Sequence, residues 1–332
     1  MRNSKNYFLF LFVLFFLLIS FELILRVSNY REIIYSNRLS FDLINSKKYV
    51  LSNNSEVIYE LQPNFHESVE SINSFGIRDK EYPFEKPNNT TRIILIGDSV
   101  LFGPYVKDEE RFSEILEKKL NDVSRNTEVM NFGVGGYDIN QEFGVFKRAL
   151  NFEPDIIIIH TYTNDAARKI ITRNKEIYEL FEEYYFFYDS PFTEFLLRNS
   201  YVFRFFSHKS TLLLNLTNFI VYSPNFEMYK YKLMKMKEFS KEKNIPFFVV
   251  FHPYLEDNLT ETMLNTEREY IRIFKDLNLT YLELRNNYSG HNFSNLRIRD
   301  TDLAHLNRQG HKVTADALYD FLLSQAKCEE FS

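Results

Sequence analysis

The chain has 332 residues, a formal net charge of −5 and 26% charged residues, with 34 Phe, 22 Tyr, no Trp and 9 Gly. A charge so mild, with no basic stripe, excludes nucleic acid as an expected partner, and Cys328, the single cysteine, excludes an internal disulfide framework. With no internal repeat or long low-complexity tract, this length predicts one main domain with additions.

In chain order, a short basic leader with Arg2 and Lys5 precedes an apolar stretch from Tyr7 to Leu25, 19 residues interrupted only by Ser20 and Glu22. That length spans a bilayer if Glu22 lies near the outer interface. A cleaved signal peptide is the competing reading, but no small-x-small pair ends the apolar core. Residues 1–28 are therefore expected to form a membrane anchor, a single N-terminal helix with the remainder extracytoplasmic, periplasmic or at the cell surface. No cysteine follows the stretch, so a lipoprotein anchor is excluded. Residues 29–90 are polar, broken by Pro63, Pro83 and Pro87, and predict a stem and lead-in ending in the turn Asn88-Asn89-Thr90-Thr91.

From residue 91 the pattern changes to alternating strands and helices. Arg92-Ile93-Ile94-Leu95 predicts a buried strand running into Ile96-Gly97-Asp98-Ser99-Val100. Phe112, Ile115, Leu116 and Leu120 mark a helix over 111–120. Glu128-Val129-Met130 predicts a second strand, followed by the loop Asn131-Phe132-Gly133-Val134-Gly135-Gly136-Tyr137. A helix is expected over 143–150, and the β-branched run Asp155-Ile156-Ile157-Ile158-Ile159-His160 predicts a strand covered on both faces, ending in Thr163-Asn164-Asp165. Further on, helices are expected over 226–243, 262–277 and 311–325, with strands over 245–251 and 279–284. The alternation predicts an α/β fold, a three-layer α/β/α sandwich around a parallel sheet. Residues 166–224 break it as an aromatic-rich insertion, with Tyr184-Tyr185-Phe186-Phe187-Tyr188 and Phe203-Arg204-Phe205-Phe206. Because it leaves right after Asn164, it is expected either to cap the site or to add core to a larger domain.

Ser99 stands where a strand meets its first loop, the place where ligands collect in open α/β sheets. A serine hydroxyl needs a base to take its proton, and histidine has the pKa nearest that task. Asp302 and His305, three apart, can meet across one turn. Each feature has an ordinary reading too. Gly-Asp-Ser is turn chemistry, Asn164 could make an Asx turn, and Asp302 could cap a helix ahead of a partly buried histidine. Gly133-x-Gly135-Gly136 lacks the Gly-x-Gly-x-x-Gly spacing of a dinucleotide site. His66, His160, His208, His252 and His291 are scattered without metal-ligand spacing, so neither metal nor cofactor is expected; His311 is expected to pack behind the loop.

The four blocks in this order, Gly97-Asp98-Ser99, the glycine loop, Asn164-Asp165 and Asp302-x-x-His305, resemble the SGNH hydrolases, the GDSL esterases and lipases, over residues 92 to about 326. The resemblance implies a flavodoxin-like sheet in a hydrolase domain over 91–330. It implies Ser99 as nucleophile, His305 as general base and Asp302 as the carboxylate that orients it. The oxyanion hole would comprise the N–H of Ser99, the N–H of Gly136 and the side-chain amide of Asn164. Two positions depart from the pattern: Tyr162 where a glycine is usual two residues before the asparagine, and Val100 where the nickname has leucine. Ser74-Phe75-Gly76-Ile77-Arg78-Asp79 also resembles a lead-in of membrane-anchored bacterial members. The function so implied is a carboxylic ester hydrolase, an extracytoplasmic serine esterase acting on acyl, foremost acetyl, esters of a small molecule or of a cell-envelope or exported glycan. An O-acetyltransferase that replaces water by a sugar hydroxyl, a lysophospholipase or lipase, and an inactive binding module of an envelope assembly are the alternatives.

Overall fold

The computed structural model describes residues 2–27, 48–54, 56–57, 59–67, 69–123, 126–172, 196, 200–203, 219–300 and 302–329. The chain divides into two compact units, Met1–Lys47 with Arg168–Ser223, and Lys48–Ala167 with Pro224–Ser332.

The larger unit is built on five strands: β5 (Thr91–Gly97), β6 (Thr127–Gly133), β7 (Ile156–Thr161), β10 (Phe247–Phe251) and β11 (Thr280–Glu283). They lie in the order β11-β10-β7-β5-β6, all parallel. The sheet is the α/β architecture expected, and its order reverses between β5 and β7, which opens a crevice outside their carboxyl ends. β5 lies between β7 and β6, and Ile93, Ile94, Leu95 and Ile96 are all buried, with exposures between 0% and 3%. Such a run of branched side chains suits a strand with helices on both faces.

The faces alternate along each strand. Ile93, Leu95, Val129, Ile158 and Val250 share a core with Phe112 and Leu116 of α3 (Phe112–Val123) and Leu318 and Leu322 of α7 (Arg308–Glu329). On the other face α4 (Ile139–Ala149) packs on α5 (Phe226–Glu242), and α5 on α6 (Glu261–Asp276). There Phe251 meets Tyr270 and Phe274 at ring separations of 5.3 and 6.0 Å. α4 starts four residues before the apolar periodicity suggests. Asp138 accepts from the Asn140 N–H while Gln141 reaches back to the Asp138 N–H, a capping box that fixes the start.

Residues 48–90, read from sequence as lead-in, belong to this same unit. They form two small antiparallel hairpins, β1 (Tyr49–Leu51) with β2 (Tyr59–Leu61) and β3 (His66–Glu67) with β4 (Glu70–Ser71). Tyr59 and Leu61 on β2 and Ile77 beyond β4 are buried.

In the smaller unit, α1 (Arg2–Val27) occupies the place of the expected anchor, and β8 (Ala167–Thr172) pairs with β9 (Phe219–Pro224). Leu9, Phe10, Phe12, Phe15, Phe16, Leu17 and Ile24 of α1 are exposed. Among the described residues no helix is long and apolar enough to cross a membrane; the side chains of residues 2–6, Phe8 and Leu11 are outside that description. Glu22 holds a second segment of this unit. Its carboxylate accepts from the Ser200 hydroxyl at 3.1 Å and from the N–H groups of Tyr201 and Val202 at 3.0 and 2.8 Å, and pairs with Arg26. Of the aromatic clusters expected either to cap the site or to add core, 184–188 and all of 203–206 but Phe203 lie outside the described residues.

Candidate active site

β5 ends at Gly97, and Asp98 caps the short helix α2 (Ser99–Phe102) by accepting the Val100 N–H at 2.9 Å. Ser99 is thus the first residue of a helix set on the carboxyl end of β5. Its helix is pinned from below: Arg78, fully buried, donates to the carbonyls of Phe102 at 3.1 Å, Gly103, Val69 at 2.8 Å and Val106 at 2.7 Å, and pairs with Asp108 at 3.0 Å. The carboxyl end of a helix exposes unsatisfied carbonyls, and a guanidinium with five donors satisfies several at once.

His305 Nε2 lies 2.8 Å from Ser99 Oγ, and its Nδ1 lies 2.9 and 3.1 Å from the two carboxylate oxygens of Asp302. Asp302 also accepts the N–H groups of Ala304 at 3.0 Å and His305 at 2.9 Å. Burial raises this carboxyl, but the bonds from the His305 ring and from these amides outweigh it and bring it down to about 2. Asp302 therefore only accepts, so Nδ1 carries the proton and Nε2 is left to receive one from Ser99. The two groups come from positions 206 apart in the chain.

The loop that presents His305 is held on three sides. Leu303 O accepts from the Leu255 N–H at 2.8 Å and from the Tyr162 hydroxyl at 3.4 Å, and His305 O accepts from the Ile298 N–H at 2.9 Å. His252, at the end of β10, donates through Nε2 to Ala304 O at 2.9 Å, with Tyr288 Oη 3.3 Å from its Nδ1. Burial, with neighbouring histidines, holds the His252 imidazole well below its ordinary value, so it stays neutral and keeps this tautomer. Tyr162, the departure from the usual glycine, packs at ring separations of 5.6 Å from His252 and 5.9 Å from Tyr254 and braces this loop.

The glycine loop lies beside Ser99: a Cβ on Gly135 would sit 4.0 Å from Ser99 Cβ. A Cβ on Gly133 would meet the Phe102 N at 2.5 Å, so only glycine lets β6 approach α2 this closely. Gly136 has φ +81°, which favours glycine. Asn164 follows β7, neighbour of β5 across the crevice, and its Oδ1 is buried with no partner among the described residues. Behind it, Asp165 Oδ2 accepts the Tyr162 N–H at 2.9 Å.

Beneath these loops Asp98, Asp138, Glu142 and Asp165 form a buried acidic cluster, with exposures of 0, 8, 0 and 1%. Burial, then the mutual repulsion of these carboxylates, pushes Glu142 and Asp165 far above the usual carboxylate range. His311 packs behind the site as expected, fully buried, with Nδ1 accepting the Phe112 N–H at 3.2 Å. Among the described residues no group of three or more His, Cys, Asp or Glu could hold a metal ion.

Of the sequence-predicted site residues, Ser99, His305 and Asp302 are in hydrogen-bonding contact, and Gly136 and Asn164 lie on the loops after β6 and β7. Sequence reasoning misses Arg78, Tyr59, His252 and Glu142. The block containing Arg78 stands out in the sequence without a role; the other three have no local pattern that separates them from core.

A family model described as GDSL-like lipase/acylhydrolase matches residues 93–318, about two thirds of the chain. No curated protein matches the sequence. Among solved structures, a psychrotrophic esterase from a Pseudoalteromonas species is similar at 14% identity and a TM-score of 0.46, covering 72% of this chain and 100% of that one. A lipase/acylhydrolase from Enterococcus faecalis is similar at 14% identity and 0.45, covering 71% and 96%. A catalytic mutant of an acetylxylan esterase from Geobacillus stearothermophilus is similar at 15% identity and 0.43, covering 70% and 93%.

Proposed function

This chain belongs to the GDSL-like lipase/acylhydrolase family and is a serine ester hydrolase, and we propose that it is a membrane-tethered extracytoplasmic esterase removing acyl groups, foremost acetyl, from a cell-envelope or exported glycan. The contact that carries the chemistry is the 2.8 Å approach of His305 Nε2 to Ser99 Oγ, with Asp302 behind it.

The steps follow from that geometry. Ser99 Oγ attacks the ester carbonyl as its proton passes to His305 Nε2, and the ionised Asp302 stabilises the imidazolium that forms. The negative charge on the carbonyl oxygen is met by the N–H groups of Ser99 and Gly136 and the Asn164 amide. His305 then protonates the departing alcohol oxygen. Water, deprotonated by the same nitrogen, releases the acyl group from Ser99.

The tether is supported by the apolar run Tyr7–Leu25 behind a basic leader, and by the exposed apolar side chains of α1. Lipid would cover such a surface. Full-length protein is expected to stay with membranes after alkaline carbonate washing, whereas a chain beginning at Asn29 is released; release of both removes the tether. The substrate class is tested by acetate release from acetylated oligosaccharides beside fatty-acid release from lysophospholipids, with Ser99→Ala as the blank. Acetate release lost in Ser99→Ala is the expected result, and preference for the lysophospholipid would replace glycan by lipid.

A further inference from the structure

The lead-in hairpin reaches the glycine loop through one hydroxyl. Tyr59, on β2 and fully buried, donates from Oη to the carbonyl oxygen of Gly135 at 2.8 Å. Its ring is fixed by edge contacts with Tyr137 at 5.0 Å and Tyr49 at 5.6 Å, and the Tyr137 hydroxyl donates back to the Tyr59 carbonyl. Gln141, the capping-box residue of α4, donates to Val57 O at 3.2 Å in the hairpin. Phenol, ring and backbone of Tyr59 are each held.

The acceptor of that bond matters because of what shares its peptide plane. The Gly135 carbonyl and the Gly136 N–H belong to one peptide unit, planar and trans, so they point in opposite directions and turn together. Gly135 and Gly136 have no side chains to restrain the rotation of that plane, and Gly136 already sits at φ +81°. A donor on the carbonyl oxygen fixes the direction of the N–H on the other side. It also polarises the amide and so strengthens that N–H as a donor.

We propose that Tyr59 is a positioning residue of the oxyanion hole, which aims the Gly136 N–H by holding the Gly135 carbonyl. This inference rests on the assignment of Gly136 as an oxyanion donor. Tyr59 touches no substrate. Its work is done before the substrate arrives, when preorganised donors give most of their benefit.

The test uses the full-length chain in detergent and the variant Tyr59→Phe, which deletes one oxygen and keeps the ring. The expected result is a fall in kcat of about tenfold, smaller than the 10²- to 10³-fold cost of removing a donor outright, with KM for an activated acetyl ester within twofold of wild type. The inhibition constant of a tetrahedral boronate should weaken by the same factor as kcat/KM. Tyr82→Phe, which deletes another buried lead-in hydroxyl, bonded to Glu117 and Val129 O, controls for lost stability and should keep both constants. An unchanged kcat in folded Tyr59→Phe overturns the inference, as does an equal fall in Tyr82→Phe. Should Tyr59→Phe fail to fold, 3-fluorotyrosine placed at position 59, isosteric and more acidic, must change kcat where the same replacement at position 82 does not; equal effects overturn the proposal. The underlying reading fails separately, if Ser99→Ala keeps wild-type turnover.

Discussion

At the scale of single residues, Ser99 is ordinary until its neighbours act on it. Its hydroxyl has a proton acceptor at 2.8 Å, and that acceptor is held in one tautomer by a carboxylate brought down to about 2. Ser99→Ala is expected to reduce ester turnover to background. Asp302→Asn should cost on the order of 10⁴-fold in kcat, because an amide can present an N–H to Nδ1 and reverse the tautomer. Asn164→Ala should cost about 10²- to 10³-fold in kcat with little change in KM, the signature of a donor used only when the oxyanion forms. Steady-state kinetics on an activated acetyl ester distinguishes all three; a change confined to KM in Asn164→Ala would assign that side chain to ground-state binding instead.

At the scale of elements, the helix that begins with Ser99 is only four residues long and cannot be stable by itself. It is held by Asp98 at one end and by Arg78 at the other. Arg78→Lys should lower unfolding free energy by about 2–4 kcal/mol, since a single ammonium cannot replace the fork and leaves buried carbonyls unsatisfied; urea denaturation that matches wild type would contradict this. The same contrast shows what the sequence could reveal. The strands and helices of the doubly wound sheet were legible because hydrophobic period is a local property, and the grouping of Ser99, Asp302 and His305 was legible because their spacing and order resemble a family. Ends moved where side chains decided them: α4 begins at Ile139 because Asp138 and Gln141 cap it. Tyr59, Arg78 and His252 were not legible, because most of their partners are backbone carbonyls distant along the chain, 76 residues away for Tyr59, 9 to 28 for Arg78 and 52 for His252. A carbonyl carries no side-chain signature, so no pattern of residue types announces such a bond.

At the scale of the whole molecule, buried titratable groups set the pH range of the fold. His160 and His311 are brought by burial to about 3, and His252 is lowered as well. The unfolded chain takes up these protons as pH falls through about 6.5, whereas the folded chain refuses them, so stability is lost by up to about 1.4 kcal/mol per pH unit for each group. Glu142 and Asp165 act in the opposite sense: their folded values are raised, so stability is lost as pH rises above about 4, where the unfolded carboxyls ionise. Between about pH 4 and 6.5 the two sets oppose one another. Below about 4 the histidine cost continues and Asp302 adds its own, lost as pH falls toward about 2. Chemical denaturation should therefore give a broad maximum in mildly acidic solution, falling on both sides. Glu142→Gln should flatten the alkaline arm; an unchanged slope above about pH 7 would show that Glu142 holds no proton in the fold. The scaffold so stabilised serves to make one serine nucleophilic. The most direct measurement is reaction of the full-length chain with a fluorophosphonate, followed by mass-spectrometric mapping of the adduct. The adduct is expected on Ser99 and absent from Ser99→Ala; an adduct on another residue, or none while the same preparation cleaves acetyl esters, would contradict the account.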